Sequence, residues 1–180
     1  MSGHWRFVRS TPLRSMGKLT LREDRWLLPS GAERAYPVLH VGACVAVVPR
    51  LDAEHVVLVR QFRHLPRADS WELPGGGALP GERIEDAAQR ELREEGGYRA
   101  ARLTFLTRFL PSPAYLDEEA HCFLGEDLTA DPLPSDDDEF FERRVFPLRE
   151  AVMMALSDGI TESVSKVALL AAALRLGVRP

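Results

Sequence analysis

Four glutamates, Glu82, Glu91, Glu94 and Glu95, crowd a stretch of chain that opens on Gly75-Gly76-Gly77 and closes on Gly96-Gly97. Residues three and four apart share a helical face, so a helix here projects Glu91, Glu94 and Glu95 together. Like charges placed this way repel and weaken the helix unless something offsets them. One offset is a solvated acidic face balanced by Arg83, Arg90 and Arg93. The other is a bound cation. Hard carboxylate oxygens without cysteine or histidine nearby favour Mg²⁺, with Mn²⁺ as a substitute, over Zn²⁺. The glycines favour the cation, because a backbone without Cβ can approach a phosphate or present a carbonyl to a metal.

Part of the scaffold around these groups is legible as well. Ile84, Ala88 and Leu92 recur every four residues, with Glu85 and Asp86 in the first turn and Gly96-Gly97 at the end, which predicts a helix. Upstream, Lys18 to Arg22 and Arg25 to Leu28 read as a short hairpin turning at Glu23-Asp24. Ala35 to His40, Val41 to Val48 and Val56 to Phe62 read as longer strands. Downstream, Arg102 to Leu110, His121 to Leu124 and Phe140 to Phe146 read as strands, and Leu148 to Leu156 and Ser163 to Leu176 as helices. Interleaved strands and helices predict an α/β domain with a mixed sheet.

Composition sets the bounds. The 180 residues are 45% apolar and 28% charged with a net charge of −4, which excludes collagen-like, coiled-coil and strongly disordered chains. No basic block is present to neutralise a row of phosphates, so nucleic acid is not an expected partner. The apolar runs Val41 to Val48 and Val167 to Leu174 are far shorter than the roughly 20 residues of a membrane span. Met1 to Met16 is broken by arginines and Pro12 and has no signal-peptide core. Cys44 and Cys122 sit in apolar runs and are expected to be buried, reduced thiols, which points to the cytoplasm. His4, His40, His55, His64 and His121 show no ligand spacing.

Gly76, five residues, Glu82, seven residues, then Arg90-Glu91-Leu92-Arg93-Glu94-Glu95-Gly96-Gly97-Tyr98 resembles the Nudix box, the signature of hydrolases acting on nucleoside diphosphates linked to another moiety. Every fixed position is present; only Tyr98 departs, where the family usually has an aliphatic residue. The resemblance implies a Nudix-like α/β/α sandwich over 41–180, preceded by a small β element at 1–40. It further implies Glu91 and Glu95 as principal metal ligands, Glu94 as a further ligand or orienting group, and the Gly75 carbonyl as another metal oxygen. Glu82 would be a supporting carboxylate, and Arg90 would lock the glutamates by salt bridge.

Outside the box, Pro113 falls 16 residues after Gly97, a spacing similar to the marker of ADP-ribose pyrophosphatases within the family. Val59-Arg60-Gln61-Phe62-Arg63 and Trp71-Glu72-Leu73-Pro74 resemble the segments preceding the box in ADP-sugar hydrolases, although that subfamily more often shows Pro-Ala-Gly where Pro74-Gly75-Gly76 stands. Asp138-Glu139-Phe140-Phe141-Glu142 resembles the late loop that supplies a catalytic glutamate. The implied activity is Mg²⁺-dependent hydrolysis of ADP-ribose to AMP and ribose 5-phosphate. The alternatives are another nucleoside diphosphate sugar, such as ADP-glucose or GDP-mannose, and a regulatory protein that binds a nucleotide sugar without cleaving it.

Glu139 is the candidate base; Asp136, Asp137 and Asp138 read as solvated turn. Arg63 has the planar fork that suits a diphosphate, with a surface ion pair as the alternative, and Glu72, in the segment resembling ADP-sugar hydrolases, is a further substrate-binding candidate. Trp26 or Trp71 could stack on adenine, with burial in the core the stronger expectation for Trp71. Similar ADP-ribose hydrolases are homodimers that exchange N-terminal strands, and a hairpin of this size is marginal alone. A homodimer is the expected assembly.

Overall fold

The computed structural model describes residues 3–134 and 140–179. They fall into two units: the chain up to Gly42 together with Leu110–Glu119, and Ala43–Phe109 together with the chain from Ala120 onward.

In the first unit, β1 (Arg6–Met16), β2 (Leu19–Leu27) and β3 (Glu33–His40) form an antiparallel meander. The hairpin turns at Gly17-Lys18, so Glu23 and Asp24, expected as its turn, instead lie in the middle of β2 opposite Thr11 and Ser10. Their charges are paired within the sheet. Arg25 meets Glu23 at 3.0 Å, and the buried Asp24 accepts from Ser10 Oγ at 2.6 Å and Arg22 Nε at 3.1 Å. Pro12 lies within β1, an outer strand of the meander, where the β1–β2 register slips between Pro12 and Arg14. Leu110–Glu119 is held to β3 by Leu39 N–H to Tyr115 O (2.8 Å), and to β2 and the chain at the end of β3 by the Asp117 carboxylate. The latter accepts from Arg22 Nη1 (2.6 Å) and Val41 N–H (3.0 Å) and lies 2.7 Å from His40 Nδ1.

The second unit contains β4 (Ala43–Pro49), β5 (His55–Arg63), β6 (Ala68–Glu72), β7 (Gly75–Gly77), α1 (Ile84–Glu91), β8 (Tyr98–Phe109), β9 (Glu119–Ala130), β10 (Glu142–Pro147), α2 (Leu148–Leu156) and α3 (Ser163–Leu176). One sheet has the order β7-β4-β9-β8 and a second the order β10-β5-β6. Bonds from Glu119 N–H to Gly42 O and from Arg50 N–H to Gly125 O advance in the same sense, so β4 and β9 run parallel while the remaining pairs are antiparallel. The sheet is mixed, as expected.

Alternation along β4 divides the core. Val45 and Val47 pack with Ala87, Ala88 and Leu92 on one face, whereas Ala46 and Val48 pack with Leu58, Cys122, Leu169 and Ala172 on the other. Helix α1 therefore covers one side of the main sheet, and α2, α3 and the second sheet cover the other. This is the expected α/β/α layering. Cys44 and Cys122 are both thiols; Cys122 is buried, whereas Cys44 is only half-buried, because β4 begins beside it. Among the described residues no helix is long and apolar enough to cross a membrane.

Candidate active site

The carboxylate segment departs from a regular helix. Helix α1 ends at Glu91, and Leu92–Gly96 forms a wider π turn closed by Gly97, whose φ of 80° and N–H to Leu92 O end the coil. The expectation of one continuous α-helical face carrying Glu91, Glu94 and Glu95 is corrected accordingly. Leu92 still enters the core, but the wider turn re-aims Glu95, whose Oε2 accepts the Gly75 N–H at 2.8 Å.

The glycines are a cradle for carboxylates. β7 pairs with β4 through Gly75↔Ala46 and Gly76↔Val45. A Cβ on Gly76 would stand 2.7 Å from Glu91 Oε1 and 2.9 Å from Oε2, and one on Gly75 would stand 2.2 Å from Val45 O. Glycine is needed at both positions for close approach.

Arg90 organises the rest. Its Nε and Nη2 donate to the two oxygens of Glu82 at 2.9 and 3.0 Å, Nη1 to Glu91 Oε1 at 2.6 Å and Glu94 Oε2 at 2.8 Å, and Nη2 also to Gly77 O at 2.9 Å. Arg90 thus bridges three of the four glutamates. The Arg90 fork holds the Glu82 carboxyl below the ordinary carboxylate range, and Glu82 in turn raises Arg90, chiefly through the same hydrogen bonds.

The three carboxylates bonded to Arg90, those of Glu82, Glu91 and Glu94, outnumber its single positive charge, Glu95 lies on the adjoining turn, and Glu91 and Glu95 are only 8% and 4% exposed. The donor chemistry, hard oxygen without thiolate or imidazole, fits a divalent cation. Among the described residues no three acidic, histidine or cysteine side chains already converge as a cage. Arg90 and the Gly75 N–H hold the carboxylates side by side instead. Glu91, Glu94 and Glu95, with the Gly75 carbonyl, are the groups that would hold the ion.

Glu72 is 2% exposed and is paired with Arg63, whose Nε donates to Oε1 at 2.9 Å and whose Nη2 donates to Oε2. Arg63 is raised by Glu72, with smaller contributions from Glu162 and Glu95, so this pair shares the electrostatic field of the ligand turn. Trp71, expected in the core, is half-buried at its margin: it packs edge-on against Phe146 with ring centroids 5.0 Å apart, and Arg60 and Arg144 lie over it. Trp26 and Pro113 lie in the first unit. Trp26 sits in an aromatic group with Trp5 and Phe7, and Pro113 is exposed in the Ser112–Leu116 turn. Glu139 and Asp136–Asp138 fall outside the described residues.

Two contacts had no signal in the sequence. Ser165 of α3, fully buried, accepts the Leu73 N–H at 2.9 Å and so anchors the strand leading to Gly75. Arg143 of β10 donates to the main-chain carbonyls of Glu94 and Glu95.

Residues 40–166 match the NUDIX domain. The chain belongs to the Nudix family. The box from Gly76 to Tyr98 lies inside that match, and members of the family generally need a divalent cation. An ADP-ribose pyrophosphatase of Bacillus subtilis is 37% identical over 145 residues, covering 79% of this chain and 78% of its own length. An ADP-ribose pyrophosphatase of Mycobacterium tuberculosis is 29% identical over 167 residues, covering 91% and 81%. The crystal structure of an ADP compounds hydrolase superposes with a TM-score of 0.84 over 96% of this chain and 94% of that one at 23% identity, which establishes the Nudix fold.

Proposed function

We propose that this Nudix protein is a Mg²⁺-dependent pyrophosphatase that hydrolyses ADP-ribose to AMP and ribose 5-phosphate. The observation that carries the reading is the set of four glutamates gathered by Arg90 and the Gly75 N–H on a Nudix box. The substrate follows from the relative of that name at 37% identity over most of both chains.

In this mechanism Glu91, Glu94, Glu95 and the Gly75 carbonyl hold Mg²⁺, which supplies charge stabilisation for the diphosphate and lowers the pKa of water. Arg90 keeps Glu91 and Glu94 in place, and Glu82 orients Arg90. Glu139 takes the proton from the attacking water as its oxygen bonds to phosphorus and the bridging P–O bond breaks. Arg63, oriented by Glu72, serves the diphosphate, and Trp26 and Pro113 serve the nucleoside. The working unit is a homodimer. Its support is the exposed apolar side of β1 and the segments flanking it, where Trp5, Phe7, Leu13 and Met16 are each about half exposed. The cytoplasm is the compartment that suits two thiols.

The test is a product assay with Mg²⁺ across ADP-ribose, ADP-glucose, GDP-mannose and diadenosine polyphosphates, run on wild type and Glu95→Gln. A fast AMP signal from ADP-ribose that falls on the order of a hundredfold in the variant is expected. Preference for another sugar reassigns the substrate, and no turnover at all returns the protein to a binding role.

A further inference from the structure

The last carbonyls of a helix need donors from outside it. Here the Leu92 carbonyl takes the Gly97 N–H, and the Arg93 carbonyl takes the Leu133 N–H at 3.2 Å. The next two go to a single side chain. Arg143 Nη2 donates to Glu94 O at 2.8 Å and Nε donates to Glu95 O at 2.5 Å. Its guanidinium and the end of its stem also lie across Gly97, 3.5 to 3.7 Å from where a Cβ would stand. A planar fork can serve two successive carbonyls at once, whereas a lysine ammonium acts as a point charge.

Those two carbonyls belong to the residues whose side chains face Arg90 and Gly75. Glu94 is fixed at its carboxylate by Arg90 and at its main chain by Arg143, and Glu95 at its carboxylate by the Gly75 N–H and at its main chain by Arg143. A π turn lacks the regular i to i−4 bonds that stiffen an α-helix, so its geometry depends on such outside supports. We propose that Arg143 is a positioning residue, acting through the Glu94 and Glu95 carbonyls to hold the π turn in the shape that presents their carboxylates to the divalent cation. This rests on the reading of these glutamates as cation ligands.

Charge alone gives the opposite sign. A guanidinium near a cation site repels the ion, so a purely electrostatic Arg143 would weaken binding and its removal would strengthen it. A positioning Arg143 makes its removal weaken binding.

The experiment compares the full-length wild type with Arg143→Met, Arg143→Lys and Arg144→Met. Arg143 is exposed, so its variants should keep the fold, which their melting curves check. Arg144 neighbours it on the same strand but lies over Trp71 and Phe146, and it serves as the control. Mn²⁺ affinity is read by electron paramagnetic resonance without substrate, and amide hydrogen exchange is read over 92–97. Both Arg143 variants are expected to bind Mn²⁺ about tenfold or more weakly, as is typical when a ligand's support is removed. They should also exchange faster across the π turn and lose kcat with little change in KM, while the Arg144 variant matches wild type. Equal or tighter Mn²⁺ binding by Arg143→Met, or full rescue by Arg143→Lys, overturns the positioning role and leaves the metal reading intact. Wild-type protein that binds no Mn²⁺ overturns both.

Discussion

Gly76 lies against the Glu91 carboxylate so closely that a Cβ there would stand 2.7 Å from Oε1. The contact places a backbone strand, paired with β4, directly behind a carboxylate that is itself bonded to Arg90. Gly76→Ala must therefore push Glu91 or β7 aside, and β7 is fixed by its ladder. The expected result is a kcat loss of about tenfold to a hundredfold, since displacements near 1 Å at a reacting centre cost that much. Steady-state kinetics at saturating Mg²⁺ checks this, and wild-type turnover in the variant would remove the cradle argument.

Arg90→Met leaves the carboxylates of Glu82, Glu91 and Glu94 side by side without their shared donor. In EDTA the variant should be destabilised by roughly 3 kcal/mol, the order found when one partner of a largely buried ion cluster is deleted. A divalent cation then offsets more repulsion in the variant than in wild type, so adding Mg²⁺ should raise its melting temperature by the larger amount. Thermal melts with EDTA and with Mg²⁺ decide it; equal melting temperatures of the two proteins in EDTA would contradict the role assigned to the guanidinium.

Much of this site is legible because its spacing is local. The Nudix box places Glu82, Arg90, Glu91, Glu94 and Glu95 on helix α1, its approach and the π turn that follows, and α2 and α3 occupy the expected residues because their apolar pattern is unambiguous. Strand β7 is not legible, since three successive glycines argue against a strand until a carboxylate is found behind them. Strand β1 escapes for the reverse reason. Its side chains are exposed throughout, so no buried face imposes a clean alternation. Arg143 pairs with Glu95 across 48 residues, and only the folded arrangement of β10 against the π turn brings them together. The π turn itself is set by the αL Gly97 and the packing of Leu92, which a 3.6-residue period cannot register.

Cys122 gives a prediction about accessibility. Burial between β9 and the α3 layer, with a smaller contribution from Glu162, pushes its thiol up to about 12. At pH 8 the thiolate is then on the order of one part in ten thousand, and the reagent has no path to it. Iodoacetamide labelling followed by peptide mapping should find Cys122 unmodified in native protein and modified in urea. Rapid native labelling would mean that β9 opens locally.

The last prediction follows from Asp117. Burial alone would raise its carboxyl, but hydrogen bonding from His40, the Val41 N–H and Arg22 outweighs burial and holds it below the ordinary carboxylate range. A carboxyl depressed in the folded state contributes stability that is fully present above its unfolded pKa of about 3.9 and is lost as pH falls through the lower folded value. Asp117→Asn removes this contribution at every pH. The variant should therefore melt below wild type at pH 6, and the gap should narrow as the pH is taken to 3 and below. Asp52 and Glu82, also depressed, remain in both proteins and cancel in the comparison. Asp117 ties Leu110–Glu119 to Arg22 of β2 and to the chain at His40 and Val41. A melting gap that stays constant from pH 6 to pH 3 would show that the carboxylate is not what anchors the segment.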